Sequence, residues 1–160
     1  QLKDMSDLLF ACFSPNALQS GARVRLSALQ LRALLAERGD LLGEKGHAIR
    51  VEDFPEAALW VQPDALKRVL DNVFSNLERY ADPGRAVEIS AEKTPDQYRL
   101  CVRSVSRDRT DVRGAGLGLG ICQNLMANMR GAFSAAEADG RFVYCLSWEL
   151  ALPVPGAEQP

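Results

Sequence analysis

Apolar residues recur with a helical period in four stretches of the chain. The spacing predicts helices over 1–13, from Ser27 to about Gly43 or Gly46, over 64–81, and from about 121 to Gly131. Ser27 fits an N-cap, Pro63 fits the first turn of the third helix, and Gly131 fits a helix stop. Ser14-Pro15-Asn16 ends the first pattern, so each helix has a start or stop signal of its own.

Alternating apolar and polar residues predict strands between and after these helices, over 47–54, 60–61, 86–92, 97–105, 132–138 and 141–151. Thr94-Pro95-Asp96 and Asp139-Gly140 separate consecutive strands and predict two hairpins. Residues 15–25 are predicted to form a polar loop. Hairpin strands with helices between them favour an α+β sandwich in which helices cover one face of a mixed sheet.

Length and composition fit one soluble globular domain. The chain has 160 residues, of which 47% are hydrophobic and 25% are charged. Its net charge of −2 argues against a nucleic-acid partner bound by bulk electrostatics. Neither a membrane span nor a signal peptide is evident, so we expect a cytoplasmic protein, attached to a membrane only through other parts of a parent chain. Because the sequence begins at Gln1 without a methionine, we expect it to be a fragment of something longer.

The four cysteines show no CxxC spacing. They are predicted to be small core residues in a reducing compartment, and they are Cys12, Cys101, Cys122 and Cys145.

Glycines alternate with small and apolar residues directly before the last helix, at Gly114, Gly116, Gly118 and Gly120. A glycine-rich loop that leads into a helix lets backbone N–H groups surround an anion, most often phosphate. The alternative is that the glycines only allow the helix to pack tightly on a sheet. The spacing fits neither a Walker loop nor a dinucleotide-binding fingerprint.

Three polar residues lie along one edge of the apolar stripe of the helix over 64–81, namely Asn72, Asn76 and Arg79. An amide beside a core must find partners. One interpretation is that Asn76 points its carbonyl oxygen at a hard cation such as Mg²⁺, which prefers oxygen ligands. The other is that both amides cap or bridge neighbouring backbone.

Together these two segments resemble the catalytic, ATP-binding domain of sensor histidine kinases, in the family shared with gyrase and MutL. Residues 66–84 resemble the asparagine box of that family, and residues 114–133 resemble its second glycine box. The resemblance implies a Bergerat-type, two-layer α/β sandwich over residues 26–152. It also implies that residues 1–25 are the end of a dimerisation helix and a linker, and that 153–160 are a tail.

The resemblance also implies a set of site residues. Asn76 would coordinate Mg²⁺ with Asn72 in support, and Arg79 and Tyr80 match the basic residue and tyrosine that follow in the family. The second glycine box would contact the phosphates of ATP through Gly114, Gly116, Leu117, Gly118 and Leu119. The implied partners are ATP, a response regulator and a second copy bound through an upstream helix.

The chain departs from the family pattern at its first glycine box. Ser104 stands where the family has an Asp that binds the adenine amino group, and Ser106 and Asp108 stand in place of glycines. A serine hydroxyl is shorter and uncharged, so adenine selectivity should weaken. The lid, over 105–113, is short, and Leu77 replaces a small alanine, for which a core role is expected.

Two functions therefore stay open. The first is the ATP-binding part of a kinase, and the second is a degenerate module that keeps the fold and acts through protein–protein interaction.

His47 is the one histidine of the sequence, and it precedes a strand. We expect it to be an ordinary half-exposed loop or strand residue, which leaves the fragment without a catalytic residue. A phosphoacceptor would lie upstream, on another protein, or nowhere. A phosphorelay protein on the same fold would need a histidine on its front helix, and this chain has none there.

Overall fold

A computed structural model describes residues 23–107 and 119–150 of the chain. In chain order the elements are β1 (Val24–Ser27), α1 (Ala28–Glu44), β2 (Ile49–Val51), β3 (Ala58–Val61), α2 (Pro63–Tyr80), β4 (Val87–Lys93), β5 (Gln97–Val105), α3 (Leu119–Ala127), β6 (Gly131–Ala138) and β7 (Arg141–Glu149). The predicted helix over 1–13 and the predicted tail lie outside the described residues.

Helix α1 begins and ends at the signals that the sequence carries. The Ser27 hydroxyl accepts a hydrogen bond from Gln30 N, and the Gln30 side chain accepts one from Ser27 N, which completes a capping box. Beyond the last turn, Gly46 has a φ of 98°, a left-handed conformation that glycine adopts without strain.

Helix α2 presents its apolar stripe to the core, with Pro63 in its first turn. Buried residues recur along it at helical spacing, and they include Leu66, Val69, Leu70, Val73 and Leu77. Leu77, which replaces the alanine of the related pattern, is 1% exposed and fills core volume.

A five-stranded sheet forms the second layer, in the order β2–β4–β5–β7–β6. The β2–β4 pair is parallel and the other pairs are antiparallel, so the sheet is mixed as predicted. Strands β1 and β3 form a separate antiparallel pair. The predicted α+β class is therefore confirmed.

Both predicted hairpins are present. Asp139 and Gly140 have φ values of 54° and 79° and join β6 to β7, as a tight two-residue turn requires. The β4–β5 connection is closed by Thr94, whose N–H donates to the Gln97 carbonyl oxygen at 2.9 Å.

One face of the sheet is buried under the helices. On β5 and β7 the buried side chains alternate with more exposed ones, and Tyr98, Leu100 and Val102 lie beside Trp148, Leu146 and Tyr144 in the register. The outer face carries the exposed Arg99 and Arg103. Within the described ranges no helix is long and apolar enough to span a membrane.

Strand β1 corrects the end of the polar loop predicted over residues 15–25, because residues 24 and 25 belong to the strand; residues 15–22 lie outside the described residues. It is only four residues long, and its two arginines, Arg23 before it and Arg25 within it, mask the alternation with Val24 and Leu26. The strand is stabilised by antiparallel pairing with β3, in which Leu26 lies opposite Leu59.

The predicted helix stop at Gly131 is wrong in its detail. Helix α3 ends at Ala127, the left-handed residue is Arg130 with a φ of 57°, and Gly131 is the first residue of β6. A Cβ atom at Gly131 would overlap the Ser147 carbonyl oxygen and approach Met126 Cε to 3.0 Å. This glycine is therefore required by the close approach of β6 to the backbone of β7, with Met126 of α3 packed against the same point.

The prediction that the cysteines are core residues is confirmed only in part. Cys122 is fully buried in the core between helices and sheet. Cys101 and Cys145 lie opposite each other in the β5–β7 register, and Cys145 is only partly buried. Their strand positions give them the same face as Arg99 and Arg103, which is the outer face.

Candidate functional site

The amide-bearing edge of α2 faces the first turn of α3. Asn72 Nδ2 donates to Cys122 Sγ at 3.6 Å, which links the two helices directly. This hydrogen bond lowers the pKa of Cys122, but burial outweighs it and the net pKa is raised. The helix that carries the asparagines and the helix that follows the glycine-rich loop are thus neighbours.

Asn76 lies deeper along the same edge and is 9% exposed. Its side chain hydrogen-bonds the hydroxyl of Tyr144 on β7, a contact that lowers the pKa of that hydroxyl. Burial is the larger effect and raises the pKa of Tyr144 to about 12, so the phenol stays neutral.

Aromatic side chains of β6 and β7 lie beneath this edge. The rings of Phe142 and Tyr144 stack with centroids 5.1 Å apart, and the Phe133 ring lies 6.4 Å from that of Tyr144. Tyr80, half-buried at the end of α2, also acts on the pKa of Tyr144 and raises it. The aromatic cluster of β6 and β7 is therefore a neighbour of Asn76.

Arg79 occupies a different surface from the two asparagines. It is exposed and contributes to an open groove between α1 and α2, with a volume of about 710 Å³, that Asp71 and Glu78 also line. Burial falls from Asn76 to Asn72 to Arg79, which is the gradation expected across the edge of an amphipathic stripe.

Ser104 is 6% exposed on β5, opposite Phe142. The end of its strand is joined to the end of α2 by backbone hydrogen bonds, from Asp82 N to Val105 O at 2.7 Å and from Arg107 N to Tyr80 O at 2.8 Å. Ser104 is therefore held near the C-terminal end of α2.

Most of the predicted phosphate-binding loop lies outside the described residues, including Gly114, Gly116, Leu117 and Gly118. Leu119 is described; it is the first residue of α3 and is half-buried. Most of the predicted lid, from Asp108 to Arg113, also lies outside the described residues.

His47 is more buried than the sequence predicts. It is 6% exposed in the turn after α1, and its Nδ1 atom has no hydrogen-bond partner among the described residues. Burial is the main cause of its lowered pKa; Arg107 lowers it further, whereas Glu78 and Asp82 oppose the shift. The expectation of a half-exposed residue was wrong because His47 follows Gly46 in a turn that folds back on α2.

Two residues of the site were not identified from the sequence as site residues. The alternation of β7 could have predicted that Tyr144 points into the core. Its contact with Asn76 could not have been predicted, because it depends on the register of the sheet. Cys122 was assigned to the apolar face of α3, and its contact with Asn72 depends on how two helices cross.

No protein-family profile matches the chain. The sensor histidine kinase YrkQ of Bacillus subtilis (strain 168) is 26% identical over 150 residues, which cover 91% of this chain and 34% of YrkQ. The chain thus spans about a third of the length of that relative.

Solved structures of histidine kinases share the fold. The catalytic domain of histidine kinase ThkA superposes with a TM-score of 0.62 at 16% identity, covering 79% of this chain and 95% of the domain. Full-length ShkA, solved in complex with AMPPNP, gives a TM-score of 0.64 at 20% identity and covers 94% of this chain and 36% of ShkA. The chain therefore has the fold of histidine kinase catalytic domains, and the resemblance predicted from its two boxes is confirmed.

Proposed function

We propose that this chain provides the ATP-binding catalytic domain of a sensor histidine kinase, which presents Mg-ATP for phosphoryl transfer to a histidine outside this sequence. The observation that carries the proposal is the contact between Asn72 on α2 and Cys122 on α3. It brings the amide-bearing edge against the helix that follows the glycine loop. Relatives of the same fold are sensor histidine kinases, and one neighbour was solved with a nucleotide analogue.

The residues of this edge fit a magnesium ion that is shared with phosphate. The Asn76 amide carries a carbonyl oxygen beside the start of α3, and oxygen is the ligand that Mg²⁺ prefers. A neutral amide supplies one ligand only, so the remaining positions would be taken by water and phosphate oxygens. When bound, the ion would neutralise phosphate charge and help align the transferred group.

The phosphates of ATP would lie at the start of α3, where the backbone N–H groups of Gly116 to Leu119 are the proposed donors. Unpaired N–H groups and the helix dipole favour anions at such a position. Asn72 would support Asn76, and Tyr80 would border the same space. Arg79 would act on phosphate only by reaching across from the α1–α2 groove.

His47 is a poor phosphate acceptor because it is buried between the turn after α1 and the end of α2. The acceptor histidine would accordingly belong to a dimerisation helix or to another protein. A response regulator, homodimerisation through an upstream helix and a cytoplasmic location are parts of the same proposal.

A second candidate function is a degenerate module that acts through protein–protein contacts. Ser104 favours it, because a buried hydroxyl replaces the carboxylate that would bind the adenine amino group. The retained Asn76 opposes it, since its amide supplies an oxygen ligand of the kind that a bound Mg²⁺ would need.

The kinase domain and the degenerate module can be distinguished by isothermal titration calorimetry and thermal shift. Both measurements use ATP, ADP and AMPPNP, each with and without Mg²⁺. Nucleotide at 100 times its dissociation constant should stabilise the fold by about 2.7 kcal/mol. A kinase domain should bind more tightly when Mg²⁺ is present. Absence of any shift at millimolar nucleotide would favour the degenerate module.

A further inference from the structure

The outer face of the sheet carries two cysteines that face each other. Cys101 on β5 is directly opposite Cys145 on β7, and their Sγ atoms are 3.3 Å apart in a thiol–thiol hydrogen bond. Both are free thiols. They lie on the face of the sheet away from the asparagine edge, so the proposed nucleotide site does not use them.

The backbone already has the geometry of a disulfide. Directly opposed residues in an antiparallel pair have Cα atoms about 4.5 or 5.5 Å apart, and disulfides accept about 4.4–6.8 Å. Nine consecutive residue pairs, from Gln97–Glu149 to Val105–Arg141, hold this register. Closing the sulfur atoms from 3.3 Å to a bond length of about 2.05 Å therefore needs side-chain rotation and little backbone movement.

The two thiols differ in accessibility. Cys145 is partly exposed, whereas Cys101 is 5% exposed. Burial, followed by the hydrogen bond to Cys145, raises the pKa of Cys101 to about 11, although Arg103 and Arg99 act in the opposite direction. Because the thiolate is the reactive form, an oxidant in solution should react first at Cys145.

We propose that Cys101 and Cys145 form a redox-active dithiol that a hydroperoxide converts to an intrachain disulfide. The Cys145 sulfur attacks a peroxide oxygen, the O–O bond breaks, and water leaves, which yields a sulfenic acid at Cys145. The Cys101 sulfur then attacks that sulfur, forms the S–S bond and displaces a second water. The balance is two thiols and one hydrogen peroxide to one disulfide and two waters, with sulfur oxidised and peroxide oxygen reduced.

The disulfide would join the two strands whose opposite faces carry Ser104 and Tyr144. An external dithiol would restore the thiols by exchange. The reaction does not depend on nucleotide binding, so it can be tested whether or not the chain proves to be a kinase domain.

The test uses the full chain with Cys12→Ser and Cys122→Ser, so that only the pair remains. After treatment with one equivalent of hydrogen peroxide, the intact mass should fall by two hydrogen atoms. After tryptic digestion, the peptides that contain Cys101 and Cys145 should be recovered as one disulfide-linked pair. Dithiothreitol should reverse both the mass change and the link. In urea the strand register no longer holds the thiols together, so a larger share of the sulfenic acid should be trapped by dimedone before the disulfide forms.

Adding Cys101→Ser to that background provides the matched control. Its remaining Cys145 should gain oxygen and be trapped by dimedone as a sulfenic acid, with no loss of hydrogen. The proposal is overturned if the pair also gains oxygen at Cys145 without cross-linking, or if the share of sulfenic acid that becomes disulfide is no larger in the folded chain than in urea. Repeating the peptide analysis on the unmodified chain covers the case in which the serine background fails to fold.

Discussion

The edge of α2 and the end of β5 differ in how closely they keep the pattern of histidine kinase domains. On α2, Asn76 is retained, buried and hydrogen-bonded to Tyr144. On β5, Ser104 is equally buried but offers a neutral hydroxyl where the pattern has a carboxylate. In the proposed function, α2 contributes to binding of the phosphates and β5 to binding of the base, so this contrast predicts retained phosphate binding and weaker recognition of the base.

The contrast has a physical reason. Coordination of a metal and phosphate depends on backbone N–H groups and one amide oxygen, and these persist as long as two helices stay packed. Recognition of an adenine amino group depends on a single charged acceptor, which one substitution removes. Loss of base selectivity is thus compatible with retention of the phosphate side.

Gly131→Ala should produce the largest effect, because the close approach of β6 to β7 and to Met126 of α3 leaves no room for a side chain. The added methyl group would overlap the Ser147 carbonyl oxygen, a backbone atom that cannot move aside cheaply. We expect the free energy of unfolding to fall by about 3 kcal/mol, measured by urea denaturation.

Gly43→Ala is the matched control, since a Cβ there meets nothing within 4 Å in helix α1. It should raise stability by about 0.5–1 kcal/mol. Equal stability of the two variants would contradict the close-packing role of Gly131.

Asn76→Ala tests the α2 side of the comparison. Removing the amide should abolish the Mg²⁺-dependent part of nucleotide binding and weaken Mg-ATP at least about tenfold, or about 1.4 kcal/mol. Loss of the hydrogen bond to Tyr144 should cost about 1 kcal/mol of stability and leave the fold intact. Calorimetry with and without Mg²⁺ measures the first effect, and urea denaturation measures the second.

Ser75→Ala is the control for that change, because Ser75 is exposed on the neighbouring position of the helix. The Ser75→Ala variant should bind nucleotide with and without Mg²⁺ as the natural chain does. Survival of the Mg²⁺ dependence in Asn76→Ala would refute the assignment of this edge.

Ser104→Asp tests the β5 side. A carboxylate there should tighten binding of adenine nucleotides by about fivefold, or about 1 kcal/mol, because it can accept a charge-assisted hydrogen bond. Ser104→Asn has a similar size without the charge and should give a smaller gain. Unchanged affinity for ATP in titrations of Ser104→Asp would mean that Ser104 does not occupy the adenine position.

The smallest effect concerns His47, which lies where the end of α2 meets β5. The pKa of His47 is lowered from 6.5, chiefly by burial. Below pH 6.5 the histidine is therefore protonated more readily in the unfolded chain than in the folded chain. Stability should therefore decline as pH falls below about 6.5 and level off once the folded pKa is passed. Urea midpoints across this range should show the decline in the natural chain and a flatter profile in His47→Gln.

Much of the fold follows from local signals in the sequence. The capping box at Ser27, the proline at the start of α2 and the Asp139-Gly140 turn each determine an element boundary through contacts within a few residues. Strand β1 escaped prediction because four residues are too few for a periodic signal, and its stability comes from a distant partner, β3.

The site was predictable to a lesser degree. The edge of α2 could be derived from helical geometry, which places Asn72 and Asn76 beside the apolar stripe. Their partners Cys122 and Tyr144 could not, because helix crossing and strand register join residues far apart in sequence. The burial of His47 was missed for the same reason, since its neighbours Arg107 and Glu78 come from other elements.

The ion pair between Arg38 of α1 and Asp71 of α2, 2.8 Å long, bears on how a helix can turn about its own axis. Asp71 and Asn72 are adjacent in sequence and therefore point about 100° apart around α2. One side of the helix is tied to α1 through the buried guanidinium, and another is tied to α3 and β7 through the amides. Rotation of α2 about its axis in either direction would break at least one of these contacts. Asp71, which is not part of the proposed nucleotide site, therefore helps to fix the orientation of Asn72 and Asn76 around the helix.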